Sequence, residues 1–139
     1  MSNVKTLIWD EPAMPEELKS LLDEIGKFYS ISKGEVDSAI TVEFEKGGPE
    51  ATVQVTLEGS RARIIYDRPH HAARGLGALL SGLVRDGQPY LEQTPFETLG
   101  IMLDCSRNAV MTVEHFKGWL RQLALLGYNM AMLYTEETY

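Results

Sequence analysis

The sequence predicts two parts. Residues 1–95 form an α+β domain, an antiparallel sheet with two helices and a closing connector. Residues 96–139 form the first strand-helix-strand of an incomplete (β/α)8 TIM barrel. Three observations carry this reading. The first part alternates helical stripes with period-two strands. The last part sets a helix between two nearly unbroken apolar runs, as strands buried on both faces of a parallel sheet are written. After residue 95 the chain is far shorter than the roughly 250 residues such a barrel takes, so it reads as truncated.

Thr6-Leu7-Ile8-Trp9 is a short apolar strand broken by Asp10-Glu11-Pro12. Pro15 suits a first helical position, Glu16 and Glu17 complement the helix dipole, and Leu18, Leu21, Leu22, Ile25 and Phe28 make one stripe. Ile40, Val42 and Phe44 alternate with polar residues up to Gly47-Gly48-Pro49. Ala51, Val53, Val55 and Leu57 alternate likewise, and beyond the Glu58-Gly59-Ser60 turn so do Ala62, Ile64 and Tyr66. These three strands are expected to form an antiparallel meander. Asp67 and Pro69 read as cap and first turn of a second helix, with Ala73, Leu76, Leu80, Leu83 and Val84 inward and Gly87 as its stop.

The connector, residues 88–94, has room for a short strand around Tyr90-Leu91. Leu99-Gly100-Ile101-Met102-Leu103 and Met130-Ala131-Met132-Leu133-Tyr134 are the two apolar strands. Between them Thr112 caps a helix with Phe116, Leu120, Leu123 and Ala124 on one face and Gly127 as its end. Parallel strands need both faces covered, and one helix leaves apolar edges and faces bare; self-association through that unfinished sheet is therefore expected.

Composition excludes several classes. Thirteen Lys+Arg against twenty Asp+Glu give a net charge of −7, the wrong sign for tracking a phosphate backbone, so no nucleic-acid partner is expected. No apolar stretch approaches a membrane span, and the single cysteine makes no intramolecular bridge. With no signal-peptide pattern at the start, the expected setting is cytoplasmic, without a membrane partner. No cofactor or metal is expected: His70-His71 point apart on a helix without a further ligand at metal spacing and read as surface histidines. Cys105 with His115 lacks a third orienting group for thiol catalysis. Gly75-Leu76-Gly77 lies inside a helical stripe, where small residues permit close helix–sheet approach rather than dinucleotide binding. Trp119 reads as packing.

Gly100-Ile101-Met102-Leu103-Asp104-Cys105-Ser106-Arg107, then Leu126-Gly127-Tyr128-Asn129-Met130 running into Leu133-Tyr134-Thr135-Glu136-Glu137, resembles the opening of the catalytic barrel in glycoside hydrolase family 20, the β-N-acetylhexosaminidases. Upstream, the helix Ala72-Ala73-Arg74-Gly75-Leu76-Gly77-Ala78-Leu79-Leu80 is similar to the last helix of the small α+β domain preceding that barrel. The resemblance covers most of the chain, is carried most by 99–107, less by 126–137, and least before residue 60. It implies an exo-acting hydrolase that removes terminal non-reducing β-linked N-acetylglucosamine or N-acetylgalactosamine, with an amino-sugar glycan as partner of the intact enzyme. Its catalysis is substrate-assisted and retaining: the 2-acetamido oxygen attacks the anomeric carbon while a Glu protonates the leaving oxygen and the adjacent Asp orients the acetamide. In the family that Asp-Glu pair follows the fourth barrel strand, so this chain is expected to carry no catalytic residue and to be inactive alone.

One departure stands out: family members commonly carry an Arg before the first-strand Gly that grips sugar hydroxyls, and here that position is Leu99. Strand ends are where such barrels do chemistry. Asp104 and Arg107 there read either as a structural ion pair and turn cap or as pocket residues of the intact enzyme; Glu136 and Glu137 read as one solvated and one lining carboxylate; Tyr134 either stacks on sugar or packs. Two other classes remain open: a non-catalytic carbohydrate-binding or interaction module, which needs an exposed aromatic platform, and a piece of another TIM-barrel hydrolase.

Overall fold

The computed structural model describes residues 6–29, 31–33, 39–107 and 110–136. The chain runs through β1 (Leu7–Trp9), α1 (Lys19–Gly26), β2 (Ile31–Lys33), β3 (Ile40–Lys46), β4 (Thr52–Glu58), β5 (Arg61–Tyr66), α2 (Pro69–Leu80) and β6 (Tyr90–Gln93). It continues through β7 (Gly100–Asp104), α3 (Val113–Leu125) and β8 (Met130–Tyr134). The first six strands make one sheet in the order β2-β1-β3-β5-β4-β6, and β7 and β8 make a second. The result is a small α+β fold with a mixed sheet and three α-helices among the described residues.

The expected antiparallel meander is not what forms. β4 and β5 are the antiparallel hairpin, with Val55 opposite Ile64, but β3 pairs parallel with β5, with Phe44 opposite Ile64. Alternation in sequence specifies which face is buried and says nothing of which strand lies alongside. Ala62, Ile64 and Tyr66 of β5 are buried among the core residues, and a strand so enclosed takes neighbours on both edges. The five-residue link 47–51 can reach about 17 Å, enough to carry the chain across β5's place in the sheet, since two strand spacings are about 10 Å.

Asp67 has a different task from helix capping. Its Oδ2 accepts from the Ala51 backbone N–H at 2.9 Å, where Ala51 takes a left-handed φ of 57°, so the carboxylate fastens that link. Pro69 does open α2, with Arg68 in the cap position and no side-chain cap. The helix also ends earlier than Gly87. Gly82, at φ 73°, lets Leu83 N–H reach the Ala78 carbonyl and leaves Leu83 exposed, although Val84 beyond it is buried.

On one face of the large sheet, Leu18, Leu22 and Ile25 from the first helical segment and Ala72, Ala73 and Leu76 from α2 meet Leu7, Ile40, Val42, Val53, Val55 and Ile64. Pro15 precedes a 3-10 turn at Glu16–Leu18 that runs into α1. The helix stops at Gly26, so Phe28 drops out of the expected stripe and is exposed. β2 gave no sequence signal strong enough to read, whereas the short strand expected near Tyr90 is β6, which closes the sheet against β4.

The last part behaves locally as its residues dictate. Thr112 caps α3, accepting from the His115 N–H at 3.2 Å. Gly127, at φ 89°, closes it, with Tyr128 N–H reaching back to the Leu123 carbonyl. α3 lies on α2, and the contact is close because of Gly77: a Cβ there would sit 2.0 Å from the Leu125 carbonyl oxygen. Gly75 gives the expected close helix–sheet approach, since its Cβ would meet Ile64 at 2.8 Å. Trp119, expected to pack, is 38% exposed, and Leu120 beside it is exposed as well. Leu125 is the buried residue of α3.

Candidate functional site

β7 and β8 are parallel and in register, with Gly100 opposite Met130 and Asp104 opposite Tyr134, so both carboxyl ends emerge at one edge. Asn129 sets that register from the other end. Its Oδ1 accepts from Leu99 N–H at 2.8 Å, and its Nδ2 donates to the Glu97 carbonyl at 2.9 Å. A side-chain amide just ahead of a strand was visible in the sequence, but its two backbone partners were not. At the carboxyl edge, Cys105 N–H donates to the Tyr134 carbonyl at 2.7 Å and extends the ladder one step.

Four of the five sequence-selected residues converge there. Asp104 Oδ1 accepts from Ser106 N–H at 2.8 Å and from its hydroxyl at 2.5 Å, which ties the carboxylate over the turn leaving β7. Arg107 Nε lies 3.6 Å from Asp104 Oδ2, and its Nη2 donates to Glu136 Oε1 at 3.0 Å. Tyr134 Oη approaches the same Glu136 oxygen at 3.4 Å. Glu137 lies outside the described residues. Ser106 is the residue sequence reading passed over; a Ser two places after a strand-end Asp is the signal of such a turn.

The Ser106 hydroxyl first, then its N–H and the Arg107 charge, hold the Asp104 carboxyl below the ordinary carboxylate range. A carboxylate so held stays ionised near neutrality. It accepts hydrogen bonds and stabilises positive charge but is no reservoir for a general acid's proton. Arg107 bridges two carboxylates while remaining largely exposed, so its free N–H groups face solvent beside acceptor oxygens. Donors and acceptors side by side at a strand end suit a ligand rich in hydroxyl groups. Cys105 is half-buried, its thiol 3.9 Å from the Leu103 carbonyl oxygen, and His115 belongs to the first turn of α3.

The histidines depart from expectation. His71 is only 6% exposed and neither ring nitrogen has a hydrogen-bond partner, while His70 is half-buried with its ring centroid 4.1 Å away. Burial is the first cause lowering both imidazole pKa values. The first turn of α2 lies over the sheet end beside Ala51 and Val53, which sequence spacing does not reveal. Among the described residues no cluster of His, Cys, Asp or Glu is arranged to hold a metal ion. No described helix is long and apolar enough to cross a membrane.

Comparison with protein-family models finds no match, and comparison with the curated proteins finds none. Solved structures do match. A GH20 exo-β-N-acetylglucosaminidase from Vibrio harveyi, in complex with N-acetylglucosamine, is similar over 94% of this chain and 22% of its own, at 20% identity and a TM-score of 0.64. The GH20 β-N-acetylhexosaminidase of Streptomyces coelicolor A3(2) matches over 93% of this chain and 30% of its own, at 15% identity and a TM-score of 0.58. A β-N-acetylhexosaminidase from Bacteroides fragilis matches over 93% of this chain and 28% of its own, at 16% identity and a TM-score of 0.56. The chain thus spans less than a third of the length of these enzymes, and what it has in common with that portion of them is the fold.

Proposed function

We propose that this chain is the amino-terminal part of an exo-acting β-N-acetylhexosaminidase of glycoside hydrolase family 20. Residues 1–95 are the α+β domain that precedes the catalytic barrel, and residues 96–139 are the barrel's first strand, helix and strand. The observation that carries the reading is the parallel β7–α3–β8 unit, whose carboxyl edge gathers Asp104, Arg107, Tyr134 and Glu136, in a chain with the fold of solved GH20 enzymes over nearly its whole length. Carboxyl edges of parallel strands are where barrels of this kind bind substrate.

In this reading the substrate is a glycan ending in β-linked N-acetylglucosamine or N-acetylgalactosamine, and the setting is cytoplasmic. Arg107 donates to sugar hydroxyls, Asp104 and one of Glu136 and Glu137 accept from them, and Tyr134 stacks on the sugar ring. Such contacts position the terminal sugar so that its own acetamido oxygen attacks the anomeric carbon, replacing a bimolecular step by an intramolecular one. The Glu that protonates the leaving oxygen, and its Asp neighbour, belong to polypeptide beyond the fourth strand. These 139 residues therefore turn over nothing by themselves.

The test is a released-chromophore assay with an aryl β-N-acetylglucosaminide. The complete gene product, continued through the remaining βα units, is expected to release the chromophore and the 139-residue chain to release none. Turnover by the short chain, or none by the complete product, overturns the proposal.

A further inference from the structure

Asp67-Arg68-Pro69-His70-His71 leads the chain from β5 into α2 and sets two imidazoles on the first turn of that helix. Their ring centroids lie 4.1 Å apart, with His70 half-buried and His71 enclosed. Neither His71 nitrogen has a hydrogen-bond partner, and both are sealed from water. A proton taken up there would meet no acceptor and no solvent.

The surroundings add to that cost. A cation on the first turn faces the positive end of the helix dipole, and this turn carries no acidic residue and no side-chain cap. Arg68 at the cap position and Arg74 further along bring positive charge. The carboxylates nearby are engaged elsewhere: Asp67 with the Ala51 N–H, Glu92 of β6 with Arg74, and Glu17, in the 3-10 turn that packs on α2, with Lys46 and the hydroxyl of Tyr66 on β5. Glu16 in that turn is paired with Lys19, and Glu50 and Glu97 are exposed. β4 and the turn after α3 bring Val53, Leu126, Gly127 and Asn129, all uncharged, and α3 meets the helix at Gly77 through Leu125. Burial, opposed by Asp67 and seconded by Arg68, holds the His71 pKa below the ordinary 6.5. Burial and then the His71 charge do the same to His70.

The closed turn therefore excludes the proton, and an open turn admits it. Opening is cheap at this place. Tyr66, fixed to Glu17 at 2.8 Å, and Arg74, fixed to Glu92 at 2.7 Å, bound a stretch whose enclosed side chains besides His71 are Ala72 and Ala73. Alanines bury little apolar surface. The turn shares a cavity wall with Leu99, just ahead of β7, and with Leu126 and Gly127 after α3.

We propose that residues 67–73 are an acid-sensitive latch at the seam between the large sheet and the β7–α3–β8 unit: proton uptake by His71, seconded by His70, holds this turn open, off the sheet end at Ala51 and Val53. Asp67 rides on the same segment, so opening also frees the Ala51 N–H. Above pH 6.5 the ring is neutral in both forms; below it only the open form gains a proton, and the open fraction rises about tenfold per pH unit. The latch is independent of the glycosidase reading and uses none of its site residues.

The experiment is native-state amide hydrogen exchange on the full chain, read by NMR from pH 7 to pH 5 and corrected for the intrinsic pH dependence of exchange. Protection at His71 and Ala72, whose N–H groups are bound to the Arg68 carbonyl, and at Ala51 should fall together, by about tenfold between pH 6 and pH 5. Val55 and Ile64 in mid-sheet should keep theirs. His71→Phe, which keeps a ring and takes no proton, should flatten the fall at Ala72 and Ala51. Arg68→Asp gives the turn a carboxylate cap while leaving His71 in place, and should move the onset to lower pH. If His71→Phe does not fold, Arg68→Asp decides alone. Flat protection at Ala72 over the whole range overturns the proposal. So does an equal fall at Ile64, a fall undiminished in His71→Phe, or an onset unmoved in Arg68→Asp.

Discussion

Arg121 Nε on α3 donates to Glu24 Oε1 on α1 at 3.0 Å, and the same guanidinium lies 3.7 Å above the Phe28 ring. One side chain thus holds α3 to the first helix of the chain, and it explains why Phe28 stands outside the core without being idle. Lys27 first and Arg121 second pull the Glu24 carboxyl from its ordinary 4.5 to about 2. A carboxyl whose pKa is lower folded than unfolded contributes stability above pH 4.5 and loses it as the pH falls toward about 2. Urea unfolding should therefore find Glu24→Gln less stable than the parent at pH 7. The gap should narrow through that window and close below it; a gap of constant size would mean that the ion pair does not form in solution.

Gly77 and Gly118 should respond to alanine with opposite signs. A methyl at 77 collides with the Leu125 backbone and must push α3 off α2, at a cost of about 3 kcal/mol. At 118, inside α3, a Cβ meets nothing within 4 Å, and removing the backbone freedom of glycine should stabilise by about 0.8 kcal/mol. Denaturant midpoints of Gly77→Ala and Gly118→Ala measure both.

The Arg74–Glu92 pair joins α2 to β6 with the arginine 17% exposed and the carboxylate more open. Arg74→Gln should cost about 1–2 kcal/mol, less than a fully buried pair would, because water reaches the glutamate. It should also let the Glu92 carboxyl, now held below its ordinary range first by Arg74, rise again. A carboxyl 13C titration reads the second effect, and no upward movement would show the carboxylate held by something other than the guanidinium.

The second sheet exposes Met102, at 63%, together with Met130, Met132, Leu133 and Tyr134. Light scattering should find an apparent mass that climbs with concentration for the 139-residue chain, and Met132→Glu should suppress the climb. Equal behaviour of the two chains would show that the face carrying Met102, Met130, Met132 and Tyr134 does not drive association.

Much of the local structure was readable. Thr112 and Gly127 cap α3 as expected because capping groups bond to backbone a few residues away, and the Gly59-Ser60 hairpin and the three amphipathic stripes answer to the same short range. The parallel pairing of β7 with β8 was readable too, since a helix-length crossover between two apolar runs leaves few other solutions. The candidate site was half legible: strand-end position marked Asp104, Arg107, Tyr134 and Glu136, which the structure brings together, but Ser106 as the group that holds Asp104 was missed.

The amino-acid sequence by itself determined where most strands lie, where α3 begins and ends, which faces of most elements turn inward, and that the last two strands run the same way. Tertiary structure alone decided that β5 lies between β3 and β4, that Asp67 fastens a link instead of capping a helix, and that His71 is enclosed with its nitrogens unmet. The physical reason is range. Periodicity and capping are settled within one or two turns of chain, whereas a strand's partner and a polar group's burial are settled by what distant segments bring alongside once the whole apolar face is covered.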